Sequence, residues 1–196
     1  MDQTTLIVVV VAIALAIFAF WFWQNRRSMH LRERFGDEYD NAIGAKGSLS
    51  RAEDELAARE RRVSQYNIVP LSEAQRTDFT ARWKDVQAEF VDEPVLATEK
   101  AAILIREVMG LRGYPTENFE AQAADLSVDH PAVVTHYREA HAIGIKHKEG
   151  DATTEDMRQA MVHYRTLFDD LVTDGVQAGA APAAASASGT AAAPIT

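Results

Sequence analysis

The sequence predicts an all-α protein with an N-terminal transmembrane helix, a cytosolic multi-helix bundle and a disordered C-terminal tail. The chain opens with a long uncharged apolar run, continues with apolar residues at helical spacing, and ends in a segment dominated by alanine. We assign residues 1–24 to a transmembrane signal-anchor and 25–47 to a basic juxtamembrane segment and linker. Residues 48–174 form the predicted helical domain, and 175–196 the Ala/Pro/Ser-rich disordered tail.

The predicted membrane anchor is the run from Leu6 to Trp23, which contains no charge, no proline and no glycine. At helical rise this run spans roughly 27 Å, close to the thickness of the hydrocarbon core of a bilayer. A cleaved signal peptide would have a basic start and small residues at the cleavage site. Here the start "MDQTT" is acidic and the end "FWFWQNRR" is bulky. The run therefore favours an anchor that is not cleaved.

The charges beside the apolar run predict its orientation. No Lys or Arg precedes the run, whereas Arg26, Arg27, Arg32 and Arg34 follow it. Positive residues are retained on the cytoplasmic side, so we expect the N-terminus outside and residues 24–196 in the cytoplasm.

Composition excludes several classes of partner and site. From residue 36 to residue 174 the chain has 27 acidic and 16 basic residues, a balance of −11. A surface of that charge repels the phosphate backbone, so no nucleic-acid partner is expected. The absence of cysteine excludes thiolate metal sites, iron–sulfur clusters and cysteine nucleophiles. The expected partners are the membrane and a protein.

Two capping-box spacings predict helix starts in the first half of the domain. Ser50 and Glu53 lie three residues apart, and Ser72 and Gln75 repeat that spacing. Each is followed by an apolar stripe on one helical face. The first stripe is Ala52, Leu56, Val63 and Tyr66. The second is Phe79, Trp83, Val86 and Phe90.

The second half of the domain begins with a predicted central helix. Pro94 suits its first position, and the following sequence is apolar around most of its circumference. Gly113 suits the position after its end, Pro115 prevents it from resuming, and Thr116 can cap a short helix.

The last helix, residues 155–172, has a stripe of apolar residues that predicts core packing. Its members are Met157, Met161, Tyr164, Phe168 and Leu171.

The stretch "DLSVDHPAVVTHYREAH", residues 125–141, holds three histidines. Pro131 predicts a helix start there. On that helix His136 lies about 140° away from His141, while it aligns with His147 only at a distance of about 16 Å. Neither H-E-x-x-H nor E-x-x-H occurs in the chain, so we predict no metal site, although histidines from different helices could still assemble one.

An acid–base site is the alternative interpretation of this stretch. Asp129 and His130, with Tyr137 and His141 on the next turns, could line a catalytic pocket. In the structural interpretation, Asp129 instead bonds first-turn amides, while Tyr137 and His141 pack in the core. We favour the structural interpretation because caps are far commoner than active sites. Dinucleotide, phosphate-loop and calcium-loop patterns are also absent, so no cofactor is predicted.

Three segments in order, "RERFGDEYDNA", "IVPLSEAQRTDFTARWKDVQAEFVDEP" and "RGYP…FEAQAADLSVDHPAVVTHYREAH", resemble a family of uncharacterised bacterial proteins. The resemblance covers about residues 31–171. It implies a single N-terminal membrane helix and a helical cytosolic domain, hence the bacterial inner membrane. It implies no activity and no site residues.

Two function classes remain open from the sequence. The first is a membrane-tethered helical interaction or scaffold module at the cytoplasmic face. The second is a small membrane-anchored hydrolase that uses Asp129 and His130 in acid–base catalysis. The absence of cofactor motifs favours the first.

Overall fold

The computed structural model describes residues 3–173, with side chains for residues 11–19 and 21–173. This part of the chain folds into eight α-helices and contains no strand, which confirms the all-α prediction. The helices are α1 Gln3–Phe35, α2 Asp37–Lys46, α3 Leu49–Val63, α4 Glu73–Glu89, α5 Pro94–Arg112, α6 Phe119–Asp129, α7 Val134–Lys148 and α8 Thr154–Thr173. The predicted tail, residues 175–196, lies outside the described residues.

Local signals determine several helix ends as expected. The capping box of α4 is complete, because the Ser72 side chain accepts from the Gln75 amide and the Gln75 side chain accepts from the Ser72 amide. Pro94 occupies the first turn of α5. Gly113 ends α5 at φ 98°, and an added Cβ there would lie 2.4 Å from the Asn67 carbonyl oxygen. Glycine is therefore required by both the backbone angle and the adjacent chain.

Two other predicted caps are wrong. α3 begins at Leu49, so Ser50 lies inside the helix, and the Glu53 carboxylate is buried, where it accepts from the Tyr39 hydroxyl at 2.8 Å. The cap of α6 is not Thr116, as predicted, but Asn118, whose side chain accepts a hydrogen bond from the Ala121 amide. In the first case a tertiary contact takes the side chain that the capping box would have used.

The larger hydrophobic core, called here the C-terminal cluster, is built mainly by α4, α5, α7 and α8. The stripe of α8 is buried as predicted, and so is that of α4 except for the partly buried Phe90. The rings of Trp83 and Phe168 stack with centroids 4.6 Å apart, which joins α4 to α8. Burying one such side chain stabilises the fold by about 1.5–3 kcal/mol. The cluster comprises Leu71, Phe79, Trp83, Val86, Ala97, Ala101, Leu104, Ile105, Val108, Met109, Tyr114, Ala123, Leu126, Val133, Val134, Tyr137, Ala140, Ala160, Met161, Tyr164, Leu167, Phe168, Leu171 and Val172.

A second cluster, called the N-terminal cluster, lies where the sequence predicts a linker. Residues 25–47 are mostly helical. The end of α1 packs against α2, α3 and α6, and α2 packs against α3. The cluster comprises Leu31, Phe35, Tyr39, Ala42, Ala52, Leu56, Val63 and Val128. The basic segment therefore contributes to the folded domain, because its apolar residues recur at helical spacing between the arginines.

Helix α1 continues without interruption from the apolar run into the N-terminal cluster. In the part of the chain that the structure describes, no helix combines the length and the apolar character needed to cross a membrane. The predicted anchor, Leu6–Trp23, lies partly outside the described side chains, since those of residues 3–10 and 20 are not described.

Candidate functional site

The stretch that carries the sequence-predicted site residues spans the junction of two helices. α6 extends to Asp129, and His130 ends it by donating its amide to the Leu126 carbonyl at 2.8 Å. Residues 131–133 form a turn, and α7 begins at Val134 without a side-chain cap. The helix start predicted at Pro131 is therefore wrong by three residues, because the turn that leaves α6 takes up Pro131.

Asp129 does not cap the following helix. One carboxylate oxygen accepts from the Tyr114 hydroxyl at 2.9 Å, and the other accepts from Arg34 at 3.2 Å. The aspartate thus connects the end of α6 to α1 and to the segment after α5. The predicted bond to first-turn amides is replaced by these two tertiary bonds.

His130 is buried between two charged groups. Its Nδ1 contacts the Asp170 carboxylate, and its Nε2 lies 3.3 Å from a guanidinium nitrogen of Arg112. A guanidinium can only donate, so Nε2 accepts and the ring proton resides on Nδ1, where it is donated to Asp170. The pairing of aspartate and histidine is the one used in general-base catalysis. In this protein, however, the nitrogen that would accept a substrate proton is already occupied by Arg112.

Tyr137 and His141 lie in a different place from Asp129 and His130. They line a groove of about 580 Å³ between α5 and α7, and neither Asp129 nor His130 contributes to its wall. The four site residues proposed from the sequence therefore form two separate pairs. The lining residues are Val95, Thr98, Glu99, Ala102, Ile103, Arg106, Thr116, Glu117, Phe119, Gln122, Tyr137, His141, Gly144, Ile145, His147, Lys148, Met157 and Tyr164.

The groove combines charged side chains, among them Glu99, Arg106 and Lys148, with aromatic polar groups whose pKa values are shifted by burial. Burial raises the pKa of Tyr137 above its usual range and that of Tyr164 to about 12. Burial also lowers the pKa of His141, whose ring is only half-buried and stacks on the Phe119 ring with centroids 3.4 Å apart. His141 therefore lies at the edge of the core and not, as the sequence predicts, in the middle of the core face of α7. The raised pKa values keep the two tyrosine hydroxyls protonated, so they can donate hydrogen bonds to a ligand.

A buried charge network that the sequence did not predict lies where α2, α3 and α7 meet. The Glu38 carboxylate accepts two bonds from Arg138 and one from Arg59. Burial alone would raise the pKa of Glu38, but the hydrogen bonds from Arg138 and Arg59 outweigh it and hold that pKa below its usual value. No local pattern signals this network, because its members are far apart in the chain.

A cluster of three potential metal ligands lies on α7 and α8. Nδ1 of His136 is 3.0 Å from Nδ1 of His163, and Oε2 of Glu139 is 3.6 Å from the first nitrogen and 3.2 Å from the second. The sequence predicts no metal site within one helix, and the possibility that it leaves open, histidines from different helices, is the arrangement found here with Glu139 as a third group. The available signal was the i, i+3 pair of His136 and Glu139, which reverses the order of the E-x-x-H motif.

Comparison with protein-family models, with curated proteins and with solved structures finds no match to this chain. The resemblance to a bacterial membrane-anchored family therefore rests on the sequence motifs quoted above.

Proposed function

We propose that this protein is a membrane-tethered helical interaction or scaffold module at the cytoplasmic face of the bacterial inner membrane, where it recruits or regulates a protein partner. The observation that carries the proposal is the continuity of α1. One helix of 33 residues contains the apolar run and ends inside the N-terminal cluster of the domain.

The described side chains of the apolar run support insertion into a bilayer. Eight large apolar side chains of α1 are between 45% and 64% exposed before the helix reaches the domain. Exposure of a contiguous apolar surface to water is unfavourable, and a lipid or protein environment would remove that exposure. The residues are Val11, Ile13, Leu15, Ile17, Phe18, Trp21, Phe22 and Trp23.

The end of the run has the chemistry of a membrane interface. The ring of Phe18 packs near those of Trp21 and Phe22, with centroids 6.4 and 6.3 Å away. The Arg26 guanidinium lies 4.6 Å from the Phe22 ring centroid, and Arg27 donates to Asp54 of α3 at 2.7 Å. Aromatic rings followed by arginines are typical of the cytoplasmic boundary of a transmembrane helix.

The unbroken helix α1 joins the apolar run directly to the helical domain. Such a connection suits a module that holds a partner at a fixed distance from the membrane. Leu31 and Phe35, at the end of the same helix, are buried in the N-terminal cluster. A hinge between anchor and domain would require a break in the helix, and α1 has none.

The hydrolase alternative has weaker support. Catalysis by His130 would require a free ring nitrogen, whereas both nitrogens have partners in Arg112 and Asp170. The groove that contains Tyr137 and His141 does not include the Asp129–His130 pair. Binding, rather than proton transfer, is therefore the activity that these side chains favour.

Membrane insertion is tested by placing charge in the apolar run. Ile13→Arg combined with Ile17→Arg should shift the full-length protein from the carbonate-resistant membrane fraction to the soluble fraction, because buried arginine is costly in hydrocarbon. Ile103→Arg is the matched control, since Ile103 is 49% exposed on α5. Equal fractionation of both variants would refute the anchor.

The topology and the partner are tested with the full-length protein in its own membrane. Protease added outside spheroplasts should leave the helical domain whole, and protease added after lysis should digest it. Digestion of the domain from outside would overturn the cytoplasmic assignment.

The partner is tested by cross-linking in the membrane, followed by purification and mass spectrometry. This should recover a protein that is lost with the double arginine variant.

A further inference from the structure

We propose that His136, Glu139 and His163 bind a divalent transition-metal ion of the Zn²⁺ type, leaving one coordination position open to solvent. This inference is independent of the membrane anchor and of any protein partner.

Two adjacent helices bring the ligands together. α7 and α8 are consecutive in the chain, joined by residues 149–153, and they pack against each other. His136 and Glu139 are three residues apart on α7, which places them on the same helical face. His163 faces them from the middle of α8, where all three ligand atoms lie within 4.8 Å of one another.

The separations between the ligand atoms fit a tetrahedral ion. The three edges of the triangle measure 3.0, 3.2 and 3.6 Å. Tetrahedral Zn²⁺ with bonds of about 2.05 Å requires ligand atoms about 3.3 Å apart. A point about 2.05 Å from all three atoms lies roughly 0.8 Å above their plane, and a regular tetrahedron requires about 0.7 Å.

A hydrogen bond between the two rings does not account for the third ligand atom. If only one Nδ1 carries a proton, the other Nδ1 and the Glu139 oxygen are both acceptors and compete for that single proton. If both nitrogens are protonated, two N–H groups meet at the 3.0 Å that separates them. A cation bound just above the triangle removes both conflicts, because all three atoms can then share a lone pair with it.

The ligand types indicate which ion fits. Two imidazoles with one carboxylate suit Zn²⁺ and its neighbours Co²⁺, Ni²⁺ and Cu²⁺, whereas Mg²⁺ and Ca²⁺ prefer oxygen ligands alone. The net charge of −9 favours a cation at the surface. The cation nearest in sequence, Arg138, lies between His136 and Glu139, but its positive charge is paired with the Glu38 carboxylate.

The site is open on one side. The side chains of His136, Glu139 and His163 are 38%, 49% and 21% exposed, so water reaches the cluster. Three protein ligands and one solvent position are typical of reactive or exchangeable zinc sites, whereas structural sites use four protein ligands.

The test uses the full-length chain without a polyhistidine tag, purified in detergent and treated with EDTA. Titration with Co²⁺ should give a visible d–d absorption band that saturates at one equivalent, and Zn²⁺ should abolish it by displacement. Isothermal titration with Zn²⁺ should show the same stoichiometry. Zn²⁺ should also raise the Tm, because it binds only the folded arrangement.

The ligand variants and a matched control decide the assignment. His136→Ala, His163→Ala and Glu139→Gln should each weaken Zn²⁺ binding at least tenfold and abolish the Co²⁺ band. His147→Ala on the same helix should leave both unchanged. Glu139→Gln retains shape at a half-exposed position, so it remains informative if a histidine variant unfolds. No saturable Co²⁺ band in the parent protein, or an unchanged band in Glu139→Gln, would overturn the proposal.

Discussion

Arg138 on α7 donates two hydrogen bonds to the Glu38 carboxylate on α2, at 2.6 and 2.8 Å, although the residues are 100 positions apart in the chain. Arg59 of α3 adds a third bond at 2.8 Å. The carboxylate is 3% exposed, so these bonds replace nearly all of its hydration. The network therefore orients the N-terminal helices relative to α7, since a displacement of either would leave buried charge without a partner.

Glu38→Gln should lower the free energy of unfolding by roughly 2 kcal/mol, because Arg138 loses its carboxylate partner and the largely buried Arg59 keeps only Glu55. Urea denaturation of the full-length protein in detergent, followed by circular dichroism, measures the change. Glu155→Gln is the control, since Glu155 pairs with Arg158 at the surface and its loss should produce no measurable change. Equal stability of the two variants would show that the Glu38 network contributes little.

Stability should fall in acid through Glu38. The folded pKa of Glu38 lies below the ordinary value of 4.5, so its contribution is complete above that value and is lost as pH falls through the folded pKa. Melting between neutral pH and about pH 3 should therefore show a steeper decline for the parent than for Glu38→Gln. Parallel curves would indicate that other carboxylates cause the acid sensitivity.

His130→Ala should destabilise the protein by roughly 3 kcal/mol, because the substitution removes a buried ring and takes one partner from each of Arg112 and Asp170. His141→Ala should cost only about 1 kcal/mol, since that half-buried ring loses mainly its stacking on Phe119. Chemical denaturation measures the free energy of unfolding of both variants. A catalytic His130 would give the opposite result, an unchanged or raised stability on removal.

Gly113→Ala should destabilise by about 3 kcal/mol, because the left-handed backbone and the nearby Asn67 carbonyl both oppose a Cβ. Gly150→Ala is matched in backbone angle, with φ 86°, but has open space around it and should cost about 1 kcal/mol. Thermal melting distinguishes them. Equal losses would mean that the chain around Asn67 shifts to accommodate the methyl group.

The sequence by itself determined the features that depend on neighbours along the chain. The capping box of Ser72 and Gln75, the end of α5 at Gly113 and the buried stripe containing Trp83 all follow from spacings within a few turns of helix. Such features are readable because the backbone hydrogen bonds and the helical repeat that produce them are local.

Only the tertiary structure decided which helical faces meet. The bonds from Arg34 and Tyr114 to Asp129, and the approach of His163 to His136, join residues separated by 15 to 95 positions. Their partners depend on the rotation and register with which helices pack, and those are set by the sum of many side-chain contacts in both clusters. A polar residue on one helix therefore carries no local sign of the group it will face.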